Sequence, residues 1–150
     1  MLESFDEINS AKEEIKRADH LLYVTLKYTR TADVINNMIK RLASAFEMCF
    51  DLILEDLKRS KKIKEIPKIG LEKATLLEKL MAKDRVLLDY IHFYFVLWEI
   101  RRAPYEGREE YRKHIALVGR DFIVKTDLLK EYFEVTKNFV KYCEECYQHD

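Results

Sequence analysis

The sequence predicts an all-α protein, an antiparallel up-and-down four-helix bundle of long helices with a short connector helix. Three observations carry that expectation. Only three Gly and two Pro occur in 150 residues, too little turn material for the repeated reversals of an all-β fold. Apolar residues recur at helical spacing along most of the chain. The one run that could be a buried strand, residues 90–98, has no second strand to pair with, and a lone strand leaves its backbone unsatisfied. With no internal repeat, low-complexity stretch or domain boundary, residues 1–150 read as a single helical-bundle domain.

Taken in order, Ser4 with Glu7 and Ser10 with Glu13 have capping-box spacing, which starts a helix near residue 4. Its stripe is Ile8, Ala11, Ile15, Ala18 and Leu22. Thr25, Thr29 and Thr31 weaken it, so a junction falls near residues 29–31, with Thr31 or Asp33 capping the next helix. That second helix holds Ile35, Met38, Ile39, Leu42, Phe46, Cys49, Ile53 and Leu57 on one face. Its end, Lys58-Arg59-Ser60-Lys61-Lys62-Ile63-Lys64, places cations where they complement the helix macrodipole.

Pro67 and Gly70 break the chain before a connector helix over residues 71–81. The next helix spans about 84–102 and is apolar on nearly all sides, which predicts a place at the bundle centre or at a subunit interface. After a break at residues 104–107, a last long helix is expected from Arg108. Its stripe is Ile115, Val118, Phe122, Leu129, Tyr132, Phe139, Cys143 and Cys146, with Gly119 as a close-packing position inside it. The pattern falters at Lys125 and Thr136.

Composition narrows the function classes. Lys plus Arg equals Asp plus Glu at 27 each, so any nucleic-acid contact needs a local basic patch rather than bulk charge. Charged residues at 36% with a single Gln, Gln148, resemble a heat-adapted composition. No apolar leader opens the chain, and the run from Ile91 to Ile100 is far short of the ~20 residues of a membrane span. The expected location is cytoplasmic. Three cysteines in such a protein do not make a disulfide scaffold.

Few motifs carry chemistry. Cys143-x-x-Cys146-x-x-His149 offers three zinc-type ligands, but a structural site wants four, and the cysteines continue an apolar stripe, as does Cys49. Asp89-x-x-His92 is half of a carboxylate-bridged metal site and lacks the second copy; His92 is expected to satisfy its ring within the bundle. Asp19 and His20 read as partly exposed packing residues. No Gly-rich phosphate loop, nucleophile elbow or His-Glu-x-x-His motif occurs, so no metal or cofactor is implied.

The anomalous stretch is Arg101-Arg102-Ala103-Pro104-Tyr105-Glu106-Gly107-Arg108, continuing to Arg112-Lys113-His114. An imidazole near neutral pKa can shuttle a proton and a guanidinium can hold a phosphate bidentately. Arg101, Arg102, Arg112 and Lys113 raise the local potential as nucleic-acid-binding candidates, and Glu106, Glu109 and Glu110 lower it. On a regular helix, Arg108 and His114 are rotated by roughly 240° and separated by about 9 Å. They can both reach one phosphate only if Arg108 hangs off a frayed helix N-terminus or a second subunit supplies the complement.

The segment Leu97-Trp98-Glu99-Ile100-Arg101-Arg102-Ala103-Pro104-Tyr105, followed by Arg108-x5-His114, is similar to the Arg-x(4–6)-His signature of the HEPN superfamily. The predicted layout resembles that family over nearly the whole chain: two long antiparallel helices, a linker with a short helix, then two more helices. The resemblance implies a homodimer with Arg and His of both protomers in one cleft. It also implies metal-independent endoribonuclease chemistry: Arg108 would orient the scissile phosphate, and His114 would act as general acid or base while the 2′-hydroxyl attacks. Arg112 and Lys113 lie outside the motif, as contacts to the RNA backbone. Glu109 departs from the family's small polar or basic residue after the arginine. Many members are inactive partners or binding subunits. The expected function is therefore a non-catalytic interaction or binding subunit, partnering a nucleotidyltransferase or toxin system, with the endoribonuclease as the alternative.

Overall fold

The chain begins with α1 (Leu2–His20), which widens into a π-helical turn (Leu21–Thr25) and closes with one α-turn (Leu26–Tyr28). The other helices are α2 (Ala32–Arg59), α3 (Gly70–Leu80), α4 (Arg85–Arg102) and α5 (Thr126–Tyr147). Between α4 and α5 lies a three-stranded sheet of β1 (Glu106–Arg108), β2 (Ala116–Val118) and β3 (Ile123–Lys125). This computed structural model describes residues 2–147, with side chains described from Asp6 onward. Ser4, half of the expected capping box, and His149, the third expected thiolate-imidazole ligand, lie outside the described side chains.

Two helices open on side-chain caps, one of them, Thr31, where the sequence puts it. The Thr31 hydroxyl accepts from the Val34 amide to open α2, and the Asp84 carboxylate accepts from the Leu87 amide to open α4. Asp84 also accepts from the Tyr142 hydroxyl at 2.9 Å, tying the far end of α5 to the start of α4.

The apolar run at 90–98 is helical, as expected, but it is not the centre. That place belongs to α2, which packs against α1, α3, α4 and α5 and under β1 and β2. Its Phe46 stacks on Phe139 of α5 at 4.4 Å, and Phe50 and Tyr94 close edge-on around them. On α4, Leu87, Ile91, Tyr94, Leu97 and Ile100 are buried while Val86 and Val96 face solvent. The helix thus buries one stripe. Its other aromatic residues, Tyr90, Phe93, Phe95 and Trp98, are half-buried at the flanks.

The long last helix expected from Arg108 is corrected to a sheet followed by a helix that starts at Thr126. β1 pairs antiparallel with β2, Arg108 opposite Ala116, and β2 pairs antiparallel with β3, Val118 opposite Ile123. Ile115, Val118 and Phe122 mimic a helical period, but the stretch is punctuated by Gly107 and Gly119 and is rich in β-branched residues. Gly119 is not a helix-packing position. It opens the turn between β2 and β3, donates its amide to the Phe122 carbonyl at 2.9 Å, and a β-carbon there would run into the Phe122 ring. β2 is the buried middle strand through Ala116 and Leu117.

The faltering at Lys125 marks the true start of α5. Thr136, the other irregular position, is fully buried, because its hydroxyl donates to the Tyr132 carbonyl one turn back at 2.9 Å. Cys49 and Cys143 are buried, as the stripes require, whereas Cys146 is exposed. Burial pushes the Cys143 thiol well up, with Cys49 beside it adding to the shift, so it is an inert thiol rather than a nucleophile. Among the described residues, no helix is long and apolar enough to cross a membrane.

Candidate nucleic-acid interface

The β1–β2 hairpin and the residue before it are anchored to residues 30–33, around the start of α2, at three points. The Tyr105 hydroxyl donates to the Asp33 carboxylate. The Glu110 carboxylate accepts from the Ala32 amide at 3.2 Å, adding an acid to the positive end of α2 beside the Thr31 cap. The Tyr111 amide donates to the Arg30 carbonyl at 2.6 Å. Glu109 and Tyr111 take left-handed backbone angles, φ 58° and 66°, a costly conformation for residues with bulky side chains. The anchors hold that strained loop against the π-helical turn.

The anchoring creates a cleft of about 380 Å³ between the π turn, the loop and the first turn of α5. Leu22, Leu26 and Ile115 form its apolar floor. Around it stand Lys27, Arg30, Lys113, Lys125 and Lys130, with His114 and Thr126, and a single carboxylate, Asp127. None of the five cations forms an ion pair among the described residues. Uncompensated like charges at one cleft raise the local potential and favour an anionic occupant. Asp127 does little to offset them, since it sits in the first turn of α5 where the helix dipole already favours a carboxylate.

One exposed tyrosine lines this cleft, and two more lie next to its residue Arg30. Tyr23 lies in its wall with its ring edge-on to Phe133 at 6.4 Å. Tyr28 and Tyr111 are 78% and 74% exposed, on either side of Arg30 along the chain and across the loop contact. Cations interleaved with free aromatic faces are the combination that single-stranded nucleic acids bind.

The residues singled out in the sequence are scattered. His114 and Lys113 are exposed and line the cleft; Arg108, exposed on β1, does not. The hairpin sets Arg108 opposite Ala116, two residues past His114. Arg112 pairs with Glu109 at 3.8 Å. Arg101 pairs with Glu47 at 3.0 Å, and Arg102 lies over the Trp98 ring at 4.7 Å and pairs with Glu99. Two of the three acids expected to lower the loop's potential are engaged, Glu109 with Arg112 and Glu110 at α2, while Glu106 is exposed on β1. Lys27, Arg30, Lys125 and Lys130 were not singled out, because they lie outside the anomalous stretch, Lys27 and Arg30 more than eighty residues before His114. The local signal was the basic and aromatic alternation Lys27-Tyr28-x-Arg30.

The metal candidates do not assemble. His92 is exposed and bonds through Nε2 to Glu78 at 2.9 Å, a surface contact between α3 and α4 rather than one inside the bundle, and Asp89 is exposed as well. Asp19 and His20 are both exposed. Among the described residues, no group of three or more His, Cys, Asp or Glu could hold a metal ion. One carboxyl elsewhere is perturbed: burial, with Asp51 and Glu55 alongside, raises Glu7 from 4.5 to about 7. Comparison with protein-family models, with curated proteins and with solved structures finds no match.

Proposed function

We propose that the protein is a HEPN-like helical binding subunit, dimeric and non-catalytic, whose basic cleft takes RNA. The observation that carries this reading is the set of five unpaired cations around a formed cleft in a chain of zero net charge. A neutral protein that gathers cations in one place, and turns two of the nearby acids to other partners, has a surface suited to a polyanion. The packing of α1, α4 and α5 against α2, with α3 as connector, is compatible with the HEPN-like layout. The dimer is supported by the solvent-facing Val86 and Val96 of α4. A nucleotidyltransferase or toxin-system partner rests on the resemblance alone.

The test is fluorescence anisotropy of a labelled oligouridylate against the full chain. Lys113→Ala with Lys130→Ala, both exposed and unpaired, leaves the melting temperature unchanged and weakens binding by roughly tenfold or more. Equal affinity for wild type and the double variant contradicts the reading.

A second reading, the metal-independent endoribonuclease, is favoured by one observation: His114 is exposed at the rim of the cleft, two residues from the position paired with Arg108. It requires a second protomer to bring an Arg108 to that cleft. RNA cleavage that survives chelator and is lost in His114→Ala supports it. Equal background in both proteins removes it.

A further inference from the structure

We propose that the RNA held by this protein is single-stranded, and that its path runs past the π-helical turn into a second basic groove between α1 and α2. The proposal rests on the RNA-binding role of the cleft. The groove, of about 720 Å³, is walled by Lys16, Arg17 and His20 of α1 and by Asn37, Lys40 and Arg41 of α2. Every polar side chain there can donate a hydrogen bond, and no carboxylate lines it. Two acids lie nearby: Glu13 pairs with Lys16 at 3.3 Å on the exposed side, and Glu14 is buried, accepting from Arg17 at 2.6 Å and from Arg41 at 3.4 Å. The role of Glu14 is to fix the two guanidinium groups, which leaves Lys40 and His20 without ion pairs among the described residues.

The two basic sites share a wall. Leu21, the first residue of the π turn, lines the groove, and the next two residues, Leu22 and Tyr23, line the cleft. A π turn inserts one extra residue per hydrogen-bonded loop and pushes the backbone outward, a feature frequent at functional sites. Here the bulge is the ridge between two donor-lined depressions, and a strand crossing it meets phosphate-binding groups on both sides.

The strand class is read from the tyrosines. Phosphate contacts alone do not separate a duplex from a single strand. Tyr23 lines the cleft and is half exposed, and the largely exposed Tyr28 and Tyr111 lie next to the cleft residue Arg30; only unpaired bases have free faces to stack on such rings. Bases within a duplex are already stacked on one another. The shared chemistry is a phosphodiester backbone carrying unpaired bases.

The experiment measures affinity of the full chain for oligouridylates of about four and about twelve nucleotides, for a duplex RNA of the longer length, and for the matching oligothymidylate. Lys16→Ala with Lys40→Ala should bind the short strand like wild type and lose about tenfold on the long one. Tyr111→Ala should weaken the single strand and leave duplex binding unchanged. Long-strand affinity untouched by Lys16→Ala with Lys40→Ala overturns the path. Duplex binding as tight as single-strand binding overturns the strand class. Tighter binding of the ribose strand supports RNA, and tighter binding of the deoxyribose strand overturns it. No binding of any oligonucleotide overturns the underlying RNA-binding role itself.

Discussion

Glu110 shows how one side chain can serve both fold and site. It fills the space beside Gly107, where a β-carbon would meet its carboxylate, and accepts from the α2 amide at Ala32. Glu110→Ala removes that cap, at a cost of about 0.5–2 kcal/mol, read by urea denaturation. Because the same bond holds the loop that carries Lys113 and His114, RNA affinity should fall with it. Retained affinity in a destabilised variant would separate the two roles. Glu7 gives a residue-scale prediction of another kind. Its folded pKa, about 7, lies above the ordinary 4.5, so between those values the folded chain binds more protons than the unfolded one. Stability is therefore full below about pH 4.5, as far as this group is concerned, and declines as pH rises through 7. Glu7→Gln should flatten that decline; an unchanged pH profile of the melting temperature contradicts it.

At the scale of elements, the long helices were legible because each carries an apolar stripe at helical spacing, and α2 opens on the cap the sequence displays, Thr31; the Asp84 cap of α4 emerged only with the structure. Their rank was less legible. Residues 90–98 are the more aromatic run, yet α2 is central, because it is its small and branched residues, Ala43, Ala45, Leu52 and Ile53, that let neighbours approach on all sides. The sheet was hidden by coincidence of period: three strands of three residues, with Ile115, Val118 and Phe122 spaced as on a helix. Such short strands owe their stability to packing against α2 and α5 rather than to their own pattern. The contact joining α2 to α5 is the Phe46 and Phe139 stack. Phe139→Ala should cost about 3–5 kcal/mol, measured by chemical denaturation, and a loss under about 1 kcal/mol would remove α5 from the cooperative core.

Across the whole molecule, neutrality conceals segregation. The equal totals of acids and bases hide a cleft where five cations meet one carboxylate, assembled from the end of the first helical run, the hairpin loop and the start of α5. Lys113 and His114 were visible in the sequence as part of an anomalous stretch. Their partners were not, since it takes the anchoring of the loop at Arg30 and Ala32 to bring them together. The central claim is that these cations hold a phosphate backbone, and the salt dependence of binding reads it directly. If the five cleft cations each engage a phosphate of a single strand, the slope of log affinity against log salt is about −3.5, so affinity drops about a hundredfold between roughly 50 and 200 mM salt. Lys113→Ala with Lys130→Ala should reduce the slope by about 1.4. A slope near zero, or one that the two substitutions leave unchanged, contradicts the account.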